Sequence, residues 1–469
     1  MLRKTTSSPA SIPLNCVDKC LLALDGIDEP MILYGIVRMQ GEVDADRLNR
    51  AITMAQEVHP VMRTILRTRR LRPVREIQED TGTGMLTVAD LAHLKVSDRD
   101  GYIAGWMNLP MDLRTGFPFR ILLLRESETE SSLVFAVHHY SADGLRALIF
   151  VRTVVEAYNS QIGSDGQAEA PPLVAAEEMR IDRKGDELLE FAHSQRVKVD
   201  HYYRKVLFSL FHRFVLSTLA LPTRVFRDRS GRSRELRFCF SAIDPGELAF
   251  IQARARLVGA TLNDLLLAAC YRVVEKWNSM HGKSSNRIRI MAPVNISPRG
   301  FSGVVSNQAS WLSLSTTPDD RADATRLLKK VRSETSEAAA NRMAFALVYY
   351  FYFCSRFPLF IMELVCRFLM ITRTYVDTIV LTNIGSVWSE PRSEEAAVST
   401  MGNARILNVI GSAPVVSPMG LSIAAGTYNR TLNVSLTYRP AFFSDEQARA
   451  FLALYSEEIR NYDFGVQEA

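Results

Sequence analysis

Leu133-Val134-Phe135-Ala136-Val137-His138-His139-Tyr140-Ser141-Ala142-Asp143-Gly144-Leu145-Arg146-Ala147-Leu148-Ile149-Phe150-Val151 is the stretch on which the reading of this chain turns. Its first five residues form an unbroken apolar run of strand length, which reads as a buried strand. Its last seven open a helical pattern. Two histidines therefore stand where a strand ends, and an Asp and a Gly stand where a helix begins. Successive side chains on a strand point to opposite faces. One imidazole can thus face a cleft while the other faces the protein. A neutral imidazole in a cleft is a general base near neutral pH.

Three plainer readings compete. Asp143 is a good helix N-cap and Gly144 tolerates the turn, but a cap does not call for two histidines from a chain that holds eight. The histidines could be core residues satisfied by backbone partners. His138, His139 and Asp143 are all metal-ligand types. Adjacent strand histidines diverge, however, so a shared ion would need a distorted backbone, and no metal is expected.

At 469 residues the chain has room for two or three domains. With 47% hydrophobic and 23% charged residues, it has the composition of a soluble globular protein. A net charge of +5 is too dilute over this length to argue for nucleic acid. Cys16 and Cys20 have no second Cys or Cys/His pair nearby to complete a zinc site. Cys270, Cys354 and Cys366 sit in apolar, helix-like surroundings and read as buried thiols in a reducing compartment. Met1 to Asn15 is Ser/Thr/Pro-rich without an apolar core, unlike a secretory signal. The expectation is a cytoplasmic protein. The apolar run Met343 to Cys354 is broken by Arg356 and Pro358, and Glu363 and Arg367 interrupt the next. Neither reaches the roughly twenty residues of a spanning helix. Two packed helices with a greasy outer face fit better.

Along the first half, strand and helix patterns alternate. Met31 to Met39 reads as a strand, and Asp44 caps a helix to about Glu57. His59 to Arg63 leads into a short strand. Phe119 to Leu124 and Leu133 to Val137 pair as a hairpin. Gln161 to Pro172 reads as a flexible connection, residues 173 to about 215 as charged helix, and Leu221 to Arg232 as a basic, solvated linker. In the second half, Glu235 to Phe240, Arg287 to Val294 and Thr378 to Gly385 read as strands. Thr261 caps a helix after Gly259. Leu421 to Ala425 and Leu432 to Leu436 flank a turn at Thr427 to Arg430, and Ser444 starts a last helix to about Asn461. The class is α/β (α+β).

The string His138-His139-Tyr140-Ser141-Ala142-Asp143-Gly144 resembles the HHxxxDG signature of condensation-domain and chloramphenicol acetyltransferase-like acyltransferases. Further stretches are similar to that superfamily: Arg47 to Arg63 with His59-Pro60, Gly259-Ala260-Thr261-Leu262-Asn263-Asp264, Pro293-Val294-Asn295 with the downstream Asn307, Leu381-Thr382-Asn383-Ile384-Gly385, and Gly426-Thr427-Tyr428-Asn429. The likeness is nearest to stand-alone condensation proteins, polyketide-associated acyltransferases and bacterial wax ester synthase-like acyltransferases. It implies two chloramphenicol acetyltransferase-like lobes, each a mixed sheet with helices, with a tunnel between them. Residues 1–172 would form the signature-bearing lobe, 173–232 a helical and basic-loop connection, and 233–469 the second lobe.

The resemblance implies acyl transfer from a thioester to a hydroxyl or amine. His139 would be the general base, His138 would hold the loop, and Asp143 would orient it. These three are the candidate catalytic residues. Gly144, Asn307 and Thr427 are the substrate-binding candidates. Many relatives carry an Arg two residues after the second-lobe Asn, paired with the signature Asp. Here that position is Ser297. Either Arg299 substitutes as partner of Asp143, or another Arg does, or backbone amides hold the carboxylate.

No cofactor is expected to stay bound. The donor would be a phosphopantetheine thioester, arriving as acyl-CoA or on a separate acyl or peptidyl carrier protein, because no carrier domain is visible. The acceptor is expected to be hydrophobic. Two apolar stretches with basic residues, Tyr203 to Phe214 and Met343 to Met370, fit core helices. They also fit a greasy entrance in peripheral contact with a membrane. The alternative function is a carrier- or lipid-binding scaffold that has kept the fold without the chemistry.

Overall fold

The computed structural model describes residues 11–27, 29–69, 72–79, 85–94, 98–162, 187–194, 221–231, 233–297, 303, 305–372, 377–388, 398–416 and 418–465. Two six-stranded sheets organise them, with a small three-stranded sheet at one side. In the first large sheet the order is Thr400–Met401, Ala404–Gly411, Ile32–Gln40, Glu130–His138, Phe119–Arg125, Leu86–Asp90.

The strand that delivers the signature lies near the middle of this sheet. It runs antiparallel to Ile32–Gln40, with Ile32 opposite His138, and antiparallel to Phe119–Arg125, with Phe119 opposite Val137. Its apolar run has a partner on each face. Leu133, Phe135 and Val137 enter the core beneath the helices Ala45–Val58 and Gly144–Ser160. Val134 and Ala136 enter the opposite core with Trp106 and Met107 of the helix Arg99–Met107. A strand buried on both sides needs no polar alternation, which is why this one reads as a solid block of hydrophobes. Gly35 sits across from Phe135, and a Cβ there would lie only 2.1 Å from the ring. The ring occupies the space that any other residue would fill.

The second sheet has the order Ala309–Thr316, Ile288–Asn295, Ile379–Ser386, Leu421–Tyr428, Thr431–Tyr438, Arg237–Ile243. It packs on the helices Leu262–Met280, Ala324–Ala340 and Asp445–Arg460. The hairpin between Tyr428 and Thr431 turns on Asn429 (φ 46°) and Arg430 (φ 61°). Both lie in the left-handed region, the pattern of a tight two-residue turn. The small sheet joins Ser11–Ile12, Arg72–Ile77 and Thr64–Arg69.

Asp44, Asp143, Thr261 and Ser444 each cap the helix that the sequence assigned to them. Three features differ from the sequence reading. His59 to Arg63 contains a short 3₁₀ turn, Pro60–Arg63, before the strand Thr64–Arg69. The first sheet borrows Thr400–Met401 and Ala404–Gly411 from the second half of the chain, so a division in sequence order is not the division between sheets.

The basic loop is anchored, where a solvated linker was expected. Phe226 N donates to Asn278 Oδ1 (2.7 Å), Thr223 N donates to Arg287 O (2.7 Å), and the Arg227 guanidinium lies 4.0 Å over the Phe442 ring. Of the connection 163–232, the structure describes the helix Glu187–Ser194 and this loop. Tyr203 to Phe214 lies outside the described residues.

The two large sheets and the segments beside them are tied by polar contacts. Asn408 and Asn433 exchange amide hydrogen bonds of 2.7 and 2.6 Å, and Ser435 Oγ donates to Gly411 O (2.5 Å). The Arg439 guanidinium reaches Glu29 at 2.6 Å with both side chains buried. All six cysteines are free thiols. Among the described residues, no single helix is long and apolar enough to cross a membrane.

Candidate active site

The signature strand ends at His138, and the next residues make a tight loop before the helix Gly144–Ser160. Strand pairing persists to the last moment. His138 N donates to Pro118 O and His139 N to Met31 O, both at 2.7 Å. The two rings therefore diverge, as alternation requires.

His138 is buried. Its Nδ1 accepts from Tyr140 N (3.2 Å), so its proton sits on Nε2, which lies 3.3 Å from Asp25 Oδ1. This histidine holds the loop to its own strand and to the end of the helix Cys16–Asp25. Burial raises the Asp25 carboxyl, but the His138 imidazole, the Met31 amide and the charge of Arg234 together outweigh it, and the net shift is downward.

His139 points the other way and meets Asn307. Its Nδ1 is 3.1 Å from Asn307 Oδ1, and Asn307 Nδ2 donates to His139 O at 2.5 Å. Nε2 has no hydrogen-bond partner among the described residues. Burial pushes the His139 pKa below the ordinary imidazole value of 6.5. The backbone, the charge of Asp143 and the Asn307 contact oppose that shift without reversing it. A neutral ring with one nitrogen occupied and the other unclaimed is the arrangement a general base needs.

Asn307 comes from the link between the strands Ile288–Asn295 and Ala309–Thr316 of the second sheet. The whole segment Ser306 to Gln308 is laid against the signature loop. Asp143 N donates to Ser306 O (3.4 Å), and Gln308 N donates to Asp143 Oδ2 (2.9 Å). The other oxygen, Asp143 Oδ1, accepts from Arg146 N (3.0 Å) and caps the helix. Both carboxylate oxygens thus accept from backbone amides. Arg299 lies outside the described residues. The charge nearest in function is the buried Arg146, whose Nη2 donates to Gln308 Oε1 (3.0 Å) and to Ser297 Oγ.

Gly144 is the first residue of the signature helix, and a Cβ built on it meets nothing within 4 Å. Open space, not crowding, adjoins its α-carbon. Thr427 lies near the end of the strand Leu421–Tyr428, where Val387 N donates to its carbonyl (2.8 Å). Among the described residues, its side chain makes no hydrogen bond to the signature residues. Among the described residues, no group of three His, Cys, Asp or Glu is placed to hold a metal.

Two residues that the sequence reading passed over complete the site. Asp18, in the first turn of the helix Cys16–Asp25, accepts from Asn307 Nδ2 through Oδ1 (2.8 Å). Its Oδ2 accepts from Asn15 N (2.8 Å) and pairs with Arg75 Nη2 (2.8 Å). Arg75, which also donates to Tyr140 O, lies 4.9 Å over the Tyr140 ring. Burial raises the Asp18 carboxyl, against the pull of Arg75, Asn307 and Asn15. Asn15-x-x-Asp18 is legible as a helix-capping pair, but its contact with Asn307 is long-range.

The condensation-domain family model matches residues 31–461. A PKS-NRPS hybrid synthetase, cheA, of Chaetomium globosum is 29% identical over 34% of this chain and 4% of its own length. An uncharacterized protein of Mycobacterium tuberculosis is 26% identical over 67% of this chain and 68% of its own. Surfactin synthase subunit 1 of Bacillus subtilis is 22% identical over 55% of this chain and 7% of its own. The chain thus spans only a small part of the synthetases it matches. Among solved structures, the first condensation domain of the calcium-dependent antibiotic synthetase superposes with a TM-score of 0.68 at 16% identity, covering 97% of this chain and 98% of that one. The epimerization domain from the third module of tyrocidine synthetase B gives 0.67 at 15%, covering 97% and 96%. These likenesses show the fold, two lobes of mixed sheet and helix. The family match over residues 31–461 shows the lineage, and the chain belongs to the condensation-domain family.

Proposed function

We propose that this chain is an acyltransferase. It moves an acyl group from a phosphopantetheine thioester, on CoA or on a separate carrier protein, to a hydroxyl or amine acceptor, with His139 as general base. A fold shared with an epimerization domain does not choose the reaction, so the site must. The observation that carries this reading is the His139–Asn307 contact: Nδ1 is occupied, and among the described residues nothing claims Nε2. In the reaction, Nε2 takes the acceptor proton as the acceptor oxygen or nitrogen bonds to the carbonyl carbon. The C–S bond then breaks, and the imidazolium returns the proton to the departing thiolate. Protons balance and no covalent acyl-enzyme is required. A base of this kind typically supplies about 10²- to 10⁴-fold, and holding both substrates end to end supplies much of the rest. The open space at Gly144 supports a substrate path beside the loop, and the tunnel between lobes and a role for Thr427 are part of the same proposal.

The donor and acceptor are proposed to be hydrophobic, with the protein in peripheral contact with a membrane. The support is the helix Leu359–Thr372. Phe360 (67% exposed), Leu364 (66%), Phe368 (52%) and Ile371 (76%) follow one helical face, and Phe353 (64%) extends it from the neighbouring helix Ala344–Ser355. Arg356 and Arg367 are exposed beside it. Exposed aromatic and aliphatic groups with flanking cations suit an anionic lipid surface.

The test is a panel of acyl-CoA and N-acetylcysteamine thioesters, from acetyl to palmitoyl, with alcohols and amines, read by mass spectrometry. Transfer by wild type and its near-abolition in a folded His139→Ala variant is the expected result. The acidic limb of kcat/KM should lie below pH 6.5, because burial lowers the pKa of the base and activity fails as pH falls through it. Turnover by His139→Ala within threefold of wild type would sink the assignment. Binding of acyl thioesters with no transfer to any acceptor would favour the scaffold alternative.

A further inference from the structure

Asp18 belongs to none of the motifs that single out the site, yet it decides which way Asn307 faces. We propose that Asp18 is a positioning residue for the base: acting through Asn307, it holds His139 in the Nδ1–H tautomer and so keeps the lone pair on Nε2. This rests on the reading of His139 as general base.

The argument is one of donors and acceptors. The two ends of an asparagine amide have nearly the same shape, and hydrogen bonding decides their orientation. Asp18 Oδ1 lies 2.8 Å from one end. A carboxylate accepts and does not donate, so that end is the NH₂ group. Its second hydrogen goes to His139 O, 2.5 Å away. Both hydrogens of Asn307 are then spent, and its oxygen must face His139 Nδ1 at 3.1 Å. An amide oxygen cannot donate. The proton between them therefore belongs to Nδ1, and the base is left on Nε2.

Burial raises the Asp18 carboxyl, and what opposes it is the buried guanidinium of Arg75, which needs an anionic partner there. Arg75 Nη2 and Asn15 N both reach Oδ2 at 2.8 Å. The Asp18–Arg75 pair is buried, with side chains 2% and 4% exposed. A charge in such a place needs a partner, and Arg75 supplies it while also gripping Tyr140 O in the signature loop. Asn307 is clamped through its main chain as well, its backbone carbonyl accepting from Asn15 Nδ2 (3.1 Å).

The plain alternative is that Asp18 is only the third-position half of a helix-capping box with Asn15. Capping uses Oδ2 alone. It does not call for a buried Arg75, nor for Oδ1 to be aimed at a residue 289 positions away. Capping also makes no statement about the protonation of a histidine ring.

The two accounts separate in the tautomer of His139. Full-length protein labelled with ¹⁵N-histidine is observed by two-bond ¹H–¹⁵N correlation at alkaline pH, with the His139 signals identified by their loss in His139→Ala. Wild type should show His139 in the Nδ1–H form. In Asp18→Asn the residue at 18 can offer its own NH₂ to Asn307, whose amide is then free to turn. The Nδ1–H population should fall, and kcat with the thioester panel should drop by at least about 10²-fold while KM stays within about threefold. A wild-type His139 in the Nε2–H form would overturn the proposal, even if the Asp18→Asn variant could not be folded. So would a folded Asp18→Asn protein whose His139 tautomer is unchanged. If the tautomer moves in Asp18→Asn but His139→Ala retains turnover, positioning by Asp18 stands and the general-base reading of His139 fails.

Discussion

Replacing Asp143 by alanine probes how the two halves of the site are held together. The carboxylate accepts from two buried amides, Arg146 N at 3.0 Å within its own helix and Gln308 N at 2.9 Å from the second sheet. Removing a helix N-cap costs about 1 kcal/mol. Leaving a buried amide without an acceptor costs about 1–3 kcal/mol, and Gln308 N is such an amide. The expected loss for Asp143→Ala is therefore roughly 2–4 kcal/mol. Asp143→Asn separates the contributions: its amide oxygen can still cap Arg146 N, while its NH₂ group meets the Gln308 N–H donor to donor. It should lose about 1–3 kcal/mol, less than alanine. Urea unfolding followed by tryptophan fluorescence reads both lobes, since Trp106 and Trp388 lie in the cores of the first sheet and Trp277 in that of the second. A loss below about 0.5 kcal/mol for Asp143→Ala, or an asparagine variant less stable than the alanine one, would refute this account of the crossing. Activity should fall with stability, because the same amides fix the loop that carries His139.

His59 should make the fold acid-sensitive. Its Nε2 lies 2.8 Å from Thr153 Oγ1, whose own proton goes to Ile149 O, and burial lowers its pKa from 6.5 to about 4. Between those values the unfolded chain binds a proton that the folded chain refuses. Stability should therefore fall as pH drops from about 6.5 to about 4, by up to about 3 kcal/mol. A His59→Gln variant with the same acid slope in its urea midpoint would count against this. Arg439→Met breaks the buried ion pair with Glu29 and should cost about 3–5 kcal/mol, with part of the loss recovered when Glu29→Gln is added. A single variant within 1 kcal/mol of wild type, on the scale of an exposed pair, would show the contact to be idle. Flotation with anionic liposomes should retain the protein at low salt and release it at high salt. Phe360→Ser with Leu364→Ser should weaken retention without changing thermal stability, and equal retention of that variant would remove the helix from the membrane account.

Much of this architecture was legible in local pattern. Leu133 to Val137 announces a doubly buried strand because both faces meet apolar cores, and Asp44, Asp143, Thr261 and Ser444 announce helix starts because their side chains satisfy the first free amides. What escaped was pairing at a distance. Ala404 to Gly411 has strand character, but nothing local says that it will lie against Ile32–Gln40 rather than in the second sheet. The loop from Leu221 reads as solvated because it is basic, yet Arg227 spends its charge on the Phe442 ring and the Pro418 carbonyl. His139 and Asp143 became candidates through their clustering in seven residues. Asp18 and Arg75 were not, because each looks ordinary among its sequence neighbours and acquires its partners only when the small sheet, the first helix and the second lobe converge.

On the proposed reading of His139 as the base, that convergence also explains why an amide orients it. A carboxylate placed directly on Nδ1 would fix the same tautomer, but it would stabilise the imidazolium and raise the pKa of the ring. Asn307 stands between, so the negative charge of Asp18 is spent on orienting an amide and on Arg75. His139 receives the orientation with little of the charge. Burial can then keep its pKa below the ordinary value, and the ring stays neutral, with Nε2 open, at the pH where a general base must work. The arrangement requires the first helix, the signature loop and the second-lobe link to be docked together. On the proposed reading of His139, its chemistry is therefore tied to the joining of the lobes, and a change at their junction reaches it without touching it.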